Sequence, residues 1–244
     1  MSAVRVLAWL AALAMTGADA RAQTSAAQPS AIVVSGFEPF GGRDRNASWT
    51  LAAAIAQAFP HEVRAVQVPV VWGAPLTAIN NAKPLPQVWI AFGEGTPEFQ
   101  IEILAHNQRG MYPDNNGAKP AAAEIVSAAA PELKQQAQVT DLAAALTQAG
   151  FPTHVSQSAG RYLCEEMLYS LLYAQQQHPE ALRLVLFIHV PTLEQSIPVS
   201  PAKDGAPANR RQVDAELLRA FGRQLFASMR QLGLLAAAPA AAGR

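Results

Sequence analysis

A chain of 244 residues, half of them hydrophobic, 15% charged and 7% aromatic, has the make-up of a folded globular protein, whereas a disordered chain is poor in apolar residues and rich in charge. Its 18 Lys+Arg and 18 Asp+Glu give a formal charge of +0, so no basic field draws it to nucleic acid or an anionic membrane surface. The single cysteine, Cys164, excludes an internal disulfide and a cysteine-based zinc cluster, and the 18 Pro and 15 Gly, lacking a fixed period, exclude collagen-like and repeat architectures.

Residues 1–22 have the form of a secretory signal peptide. Arg5 gives a short positive start, 6–15 is an apolar run, and Ala20-Arg21-Ala22 matches the A-x-A cleavage pattern. The run is shorter than the ~20 residues of a membrane-spanning helix, so cleavage without stable membrane insertion is expected. The expected destination is the periplasm or the cell exterior. Residues 23–30 read as a flexible lead-in, 31–235 as one domain and 236–244 as a disordered Ala/Pro tail.

Residues 31–35 (AIVVS) form an apolar run ended by Gly36 and are predicted to be a buried strand. Residues 48–59 carry a helical pattern, with Ser48 as N-cap and Pro60 as stop. The β-branched, alternating residues 63–72 predict a strand, as do 88–92, entered through Pro84 and Pro86, and 100–107. A helix over 141–149 is closed by Gly150, and a short strand follows over 154–157. Leu163, Met167 and Leu171 share one face of a helix predicted over 163–177. Residues 184–190 are a buried strand stopped by Pro191, and 213–232 a long amphipathic helix. Strands alternating with helices predict a single α/β domain with a mostly parallel sheet.

Several common sites are missing. Residues 36–43 (GFEPFGGR) have the glycines of a P-loop but not its Lys and Ser/Thr, and no G-x-G-x-x-G follows a strand. No G-x-S-x-G elbow exists for a hydrolase serine. The five histidines are scattered, and His61-Glu62 lacks the second histidine of a zincin, so no metal site is expected.

Three residues carry candidate chemistry. Cys164 falls near the start of the 163–177 helix, where the helix dipole and free N–H groups favour a thiolate. A lone cysteine in an α/β protein is often just a small buried hydrophobe. His189 ends a buried strand, at the sheet edge that carries sites in open α/β folds, where it would serve a thiol as base or be a core histidine bonded to a carbonyl. Glu102 is a carboxylate inside an apolar strand, costly unless paired. It would either orient a histidine or face solvent on an edge strand.

Residues 35–42 (SGFEPFGG) resemble the opening signature of the type I pyroglutamyl peptidases, the pyrrolidone-carboxylate peptidase family. Residues 158–164 (SAGRYLC) resemble its nucleophile segment and 187–191 (FIHVP) its histidine segment. Residues 101–107 (IEILAHN) resemble its glutamate segment and 113–117 (PDNNG) its proline-aspartate-asparagine turn. The segments keep the family's order and similar separations, from about residue 32 to about residue 229.

The resemblance implies a three-layer α/β/α sandwich with a mostly parallel, mixed sheet, of the phosphorylase/hydrolase-like kind. It implies an omega-type cysteine exopeptidase, acting on peptides with an N-terminal pyroglutamate and needing no cofactor, metal or nucleic acid. Cys164 would attack the pyroglutamyl carbonyl, His189 would be base and then acid, and Glu102 would hold His189. Phe37 and Phe40 match the aromatic pair that sandwiches the lactam, a flat, uncharged, largely apolar ring that aromatic faces bury well. Glu94 stands where a polar residue helps read the lactam. The resemblance further implies a dimer or tetramer, and a family that is mostly cytoplasmic.

This chain also departs from the family. The turn at 93–99 (GEGTPEF) is shorter and lacks an Arg, and the Arg that precedes the proline-aspartate turn falls on Met111, with Arg109 two positions away. These changes touch substrate loops and spare the Cys, His and Glu types. They leave open a related amidase with altered lactam specificity, or a binding homologue on the same fold.

Overall fold

The computed structural model describes residues 31–135, 137–199 and 209–235. The expected signal peptide, lead-in and tail lie outside these residues. In chain order the first elements are β1 (Ile32–Phe37), α1 (Ala47–Ala58), β2 (Val63–Val68), α2 (Ala74–Asn81) and β3 (Val88–Thr96). Next come β4 (Phe99–Glu102), β5 (Leu104–His106), β6 (Glu132–Lys134), α3 (Val139–Gln148) and β7 (Thr153–Ser156). The last are α4 (Leu163–Gln177), β8 (Leu184–Pro191), β9 (Ser196–Pro198), β10 (Arg210–Gln212) and α5 (Ala215–Gln231).

Six strands pair in the order β2-β1-β3-β8-β4-β7. The pairs β1–β2, β1–β3, β3–β8 and β4–β7 are parallel, while β4 runs antiparallel to β8. All residues of the central strands β1 and β8 are buried, which is why both read as continuous apolar runs. Side-chain alternation divides the core into two faces. Ile32, Val34, Ile90, Phe92, Leu186 and Ile188 pack with α1, α3 and α5, where Phe221 stacks on Phe99 at 3.9 Å. Val33, Phe37, Trp89, Ala91, Val185 and Phe187 face the other way, toward α2 and α4. The result is a three-layer α/β/α sandwich with a mostly parallel, mixed sheet. Among the described residues no helix is long and apolar enough to cross a membrane.

Four local readings are corrected. Gly36 lies inside β1 and does not end it: a Cβ there would sit 2.4 Å from the Ser48 backbone, so the glycine lets α1 press onto the strand. Asn46, not Ser48, caps α1, its side chain accepting from the Ser48 N–H at 2.9 Å, and Ser48 Oγ accepts from the Phe37 N–H at 2.9 Å. The strand predicted over 63–72 stops at Val68, before Pro69, which has no N–H to donate. The strand predicted over 100–107 is two strands in two sheets, β4 in the main sheet and β5 paired with β6.

Candidate active site

The carboxyl ends of the parallel strands β1, β3 and β8 gather on one edge of the sheet, the edge that carries ligands in open α/β folds. On β8, His189 follows Phe187 on the face toward α4. Its neighbour on β3 is Gly93 and its neighbour on β4 is Gln100. Because β4 runs against β8, its last residue, Glu102, lies one step below His189 on the same face. Glu102 Oε1 is 2.8 Å from His189 Nδ1, with the side chains 0% and 8% exposed.

The nucleophile candidate arrives from the other side. Gly160, at φ +82°, turns the chain after β7, Tyr162 takes an extended N-cap conformation, and α4 starts at Leu163. Cys164 is its second residue and partly exposed. The first N–H taken up by the helix is that of Glu166, donating to Tyr162 O at 3.2 Å, so the Cys164 N–H belongs to the first-turn donors that precede the helical ladder. Cys164 Sγ and the His189 ring meet over Gly93, and with Nδ1 committed to Glu102 the other nitrogen, Nε2, is the one left to serve the sulfur. Gly93 makes room for the contact: a Cβ there would lie 2.7 Å from Cys164 Sγ, 2.8 Å from the Phe187 ring and 3.1 Å from the His189 ring.

Burial alone would lower the His189 imidazole. The charge and hydrogen bond of Cys164, joined by those of Glu102, overcome it and raise the group from 6.5 to about 10. Glu165, next in the chain, is pushed up by burial, against its bonds from His106 and with the Glu102 charge adding to the rise.

The sulfur opens into a narrow cleft. Phe37, Phe40, Val70 and Leu163 are its apolar walls, and Asn46, Glu94 and Tyr162 its polar ones. The structure thus brings Phe37, Phe40 and Glu94 to one cleft with Cys164, and sets His189 and Glu102 behind the sulfur. The Glu94 side chain has no solvent exposure: one carboxylate oxygen accepts from the Ala47 N–H and the other from Arg43. A larger cavity, of about 690 Å³, lies between β2 and α2, away from these titratable groups.

The proline-aspartate-asparagine turn supports the cleft. Asp114 accepts from the backbone N–H groups of Trp72, Asn116 and Ala118 at 2.9–3.1 Å; these bonds, against a burial that would raise it, hold its carboxyl below the usual range. Asn115 Nδ2 donates to Pro39 O at 2.9 Å, and Tyr162 Oη donates to Pro113 O at 3.0 Å. Burial and the charges of Asp114 and Cys164 raise the Tyr162 phenol. Arg109 is engaged elsewhere, by two bonds to the buried Glu166 at 3.0 and 3.1 Å, while Met111 is 57% exposed.

Sequence reasoning missed Arg43, Asn46, Val70, Tyr162 and Leu163. Tyr162 and Leu163 adjoin Cys164, and an Asn two residues before a Ser at the head of a helical run is a capping signal that leads to Asn46. Val70 and Arg43 carry no such signal.

Over residues 30–220 the chain matches the family model described as pyroglutamyl peptidase. The chain belongs to the pyroglutamyl peptidase family. The matched span holds every residue of the cleft and the Cys164–His189–Glu102 group, and it places the protein among the cysteine-type peptidases. The pyrrolidone-carboxylate peptidase of Yersinia pseudotuberculosis is 30% identical over 201 residues, 80% of this chain and 93% of that one. The solved pyrrolidone carboxyl peptidase of Thermus thermophilus is 28% identical, with a TM-score of 0.62 over 81% of this chain and 98% of that one. The one from Fervidobacterium islandicum AW-1 shares the fold, with a TM-score of 0.68 at 23% identity, over 82% of this chain and 98% of that one.

Proposed function

We propose that this pyroglutamyl peptidase family member removes the N-terminal pyroglutamyl residue from peptides through a Cys164 acyl-enzyme. The observation that carries the reading is the meeting of Cys164 Sγ and the His189 imidazole at the mouth of a cleft walled by Phe37 and Phe40. The lactam ring lies between the two aromatic walls, with Glu94 accepting from its N–H.

The sulfur, as thiolate, attacks the pyroglutamyl carbonyl carbon. First-turn N–H groups, that of Cys164 among them, stabilise the oxyanion. The C–N bond breaks as the His189 imidazolium gives its proton to the leaving amine. Neutral His189 then takes a proton from water, whose oxygen attacks the thioester carbon, and the C–S bond breaks to give pyroglutamate and the thiolate–imidazolium pair. Glu102 holds the ring through Nδ1 and stabilises the imidazolium throughout. The signal-like residues 1–22 favour work in the periplasm or outside the cell.

The test is release of aminomethylcoumarin from its pyroglutamyl amide by the chain from Gln23 onward, reduced, beside Cys164→Ser and with prolyl and glutamyl amides as controls. Turnover of the pyroglutamyl amide alone, lost in the variant, supports the reading. No turnover by folded protein with a free thiol overturns it in favour of a related amidase or a binding homologue.

A further inference from the structure

Arg43 belongs to neither the Cys164–His189–Glu102 group nor the cleft lining, yet it touches two of the cleft's walls. Its Nη1 donates to Glu94, whose side chain is 0% exposed against 35% for Arg43. Its guanidinium carbon lies 4.5 Å from the centre of the Phe40 ring, and its Nε donates to Phe40 O at 3.4 Å. Glu94 in turn holds the Ala47 N–H, beside the third wall, Asn46.

We propose that Arg43 is a positioning residue of this cleft: it stacks Phe40 in place and keeps Glu94 ionised, so that the wall beside the ligand accepts hydrogen bonds and donates none. The proposal rests on the lactam reading above and deepens it. A carboxylate has about four acceptor positions on its two oxygens. Ala47 and Arg43 take two, and those left over can accept an N–H donor from a ligand. Without the guanidinium, a carboxylate shut off from solvent keeps a single backbone donor, and the cheap escape is to take up a proton. A protonated Glu94 would present an O–H and lose its selectivity for a lactam N–H. Arginine suits the place better than lysine, because one guanidinium can donate to the carboxylate through Nη1 and to Phe40 O through Nε while it lies over the aromatic ring.

The test is steady-state hydrolysis of the pyroglutamyl coumarin amide by Arg43→Ala, Arg43→Lys and Arg43→Ala/Glu94→Gln. Arg43→Ala is expected to raise KM about tenfold with kcat within about threefold, because the bonding of Cys164, His189 and Glu102 is untouched. Arg43→Lys falls between it and the wild type. The double variant recovers at least about threefold of the lost KM, since the charge that needed the cation is gone. Alkylation of Cys164 by iodoacetamide keeps its wild-type rate in all three, which a general loosening of the fold would not allow. A wild-type KM in Arg43→Ala, or a raised KM that the double variant leaves unrelieved, overturns the proposal. Should Arg43→Ala not fold, Arg43→Lys decides: a raised KM at unchanged Tm supports the proposal and a wild-type KM overturns it. If the wild type turns over no pyroglutamyl amide, the activity reading fails by itself. Arg43 is then read from protection of Cys164 against iodoacetamide by pyroglutamyl-alanine. A protecting concentration about tenfold higher in Arg43→Ala supports the proposal, and no protection in the wild type, or an equal concentration, overturns it.

Discussion

Glu102 Oε1 lies 2.8 Å from His189 Nδ1 across β4 and β8, the antiparallel pair of the main sheet. Because β4 runs against β8, with Gln100 opposite His189, its last residue lies one step down β8 from the imidazole on the same face, and its carboxylate reaches Nδ1. Glu102→Gln keeps a hydrogen-bond acceptor and removes the charge. It is expected to lower kcat by up to about 10⁴-fold, the cost of turning the carboxylate that orients a general-base histidine into an amide. His189 should titrate below the wild-type value of about 10, as read from its imidazole NMR signals.

The same histidine predicts a pH window. Its pKa is raised on folding from 6.5 to about 10, so its stabilisation is fully present below about pH 6.5 and is lost as pH rises through about 10. Cys164→Ser removes the charge and the sulfur hydrogen bond that counter burial, leaving Glu102 alone against it. The His189 pKa in that variant should fall by more than about one unit, and the fall of Tm should begin at lower pH than in the wild type. Equal His189 titration in the two proteins would show that the sulfur does not carry the shift.

How much of this was legible differs from element to element. The α4 helix was readable to the residue, and β8 nearly so, because each has a strong local pattern: 3.6-residue spacing in one, an unbroken apolar run in the other. Residues 100–107 look like one strand because nothing local marks the break. It is made at Ile103, whose N–H donates to Ser156 O at 2.8 Å and whose carbonyl accepts from the Gln135 N–H at 2.9 Å, both far away in sequence. The α2 helix escaped notice since only Pro75 and Ile79 of its eight residues are buried, too few to make a stripe. Cys164, His189, Glu102, Phe37 and Phe40 each sit in a recognisable segment. Arg43 does not: its role comes from Glu94, 51 positions on, and no period or motif joins them.

Arg109 is legible only in three dimensions as well, and there it reads as structural. It is paired twice with Glu166, whose side chain is 0% exposed and whose carboxylate also accepts from the Gly73 N–H at 2.9 Å. Arg109→Ala leaves that charge buried without its cation and should cost about 3–5 kcal/mol in urea unfolding. Arg109→Ala/Glu166→Gln should recover much of the loss. At a temperature where the variants stay folded, KM for the pyroglutamyl amide should move less than about threefold, since Arg109 lines no part of the cleft. A KM change far larger than this in a folded variant would bring Arg109 back as a substrate contact.

Gly93 separates catalysis from stability most sharply. It lies beside His189 in the β3–β8 pair, and the face it leaves bare is where the sulfur and the imidazole meet. An added methyl would stand 2.7 Å from Cys164 Sγ and 2.8 Å from Phe187 Cζ, closer than real carbons pack, so something must move. Phe187 is fully buried and held by its neighbours, whereas Cys164 lies at the open end of a helix and yields more readily. The sulfur is therefore the atom expected to shift. A displacement of about 1 Å from the attacking position costs about 100-fold in rate. Gly93→Ala should thus lose at least about 100-fold in kcat while its destabilisation stays near the 1–3 kcal/mol typical of overpacking. The check is kcat beside urea unfolding of the same preparation. Near-normal turnover in Gly93→Ala would mean that the sulfur does its work from a position other than the one beside His189.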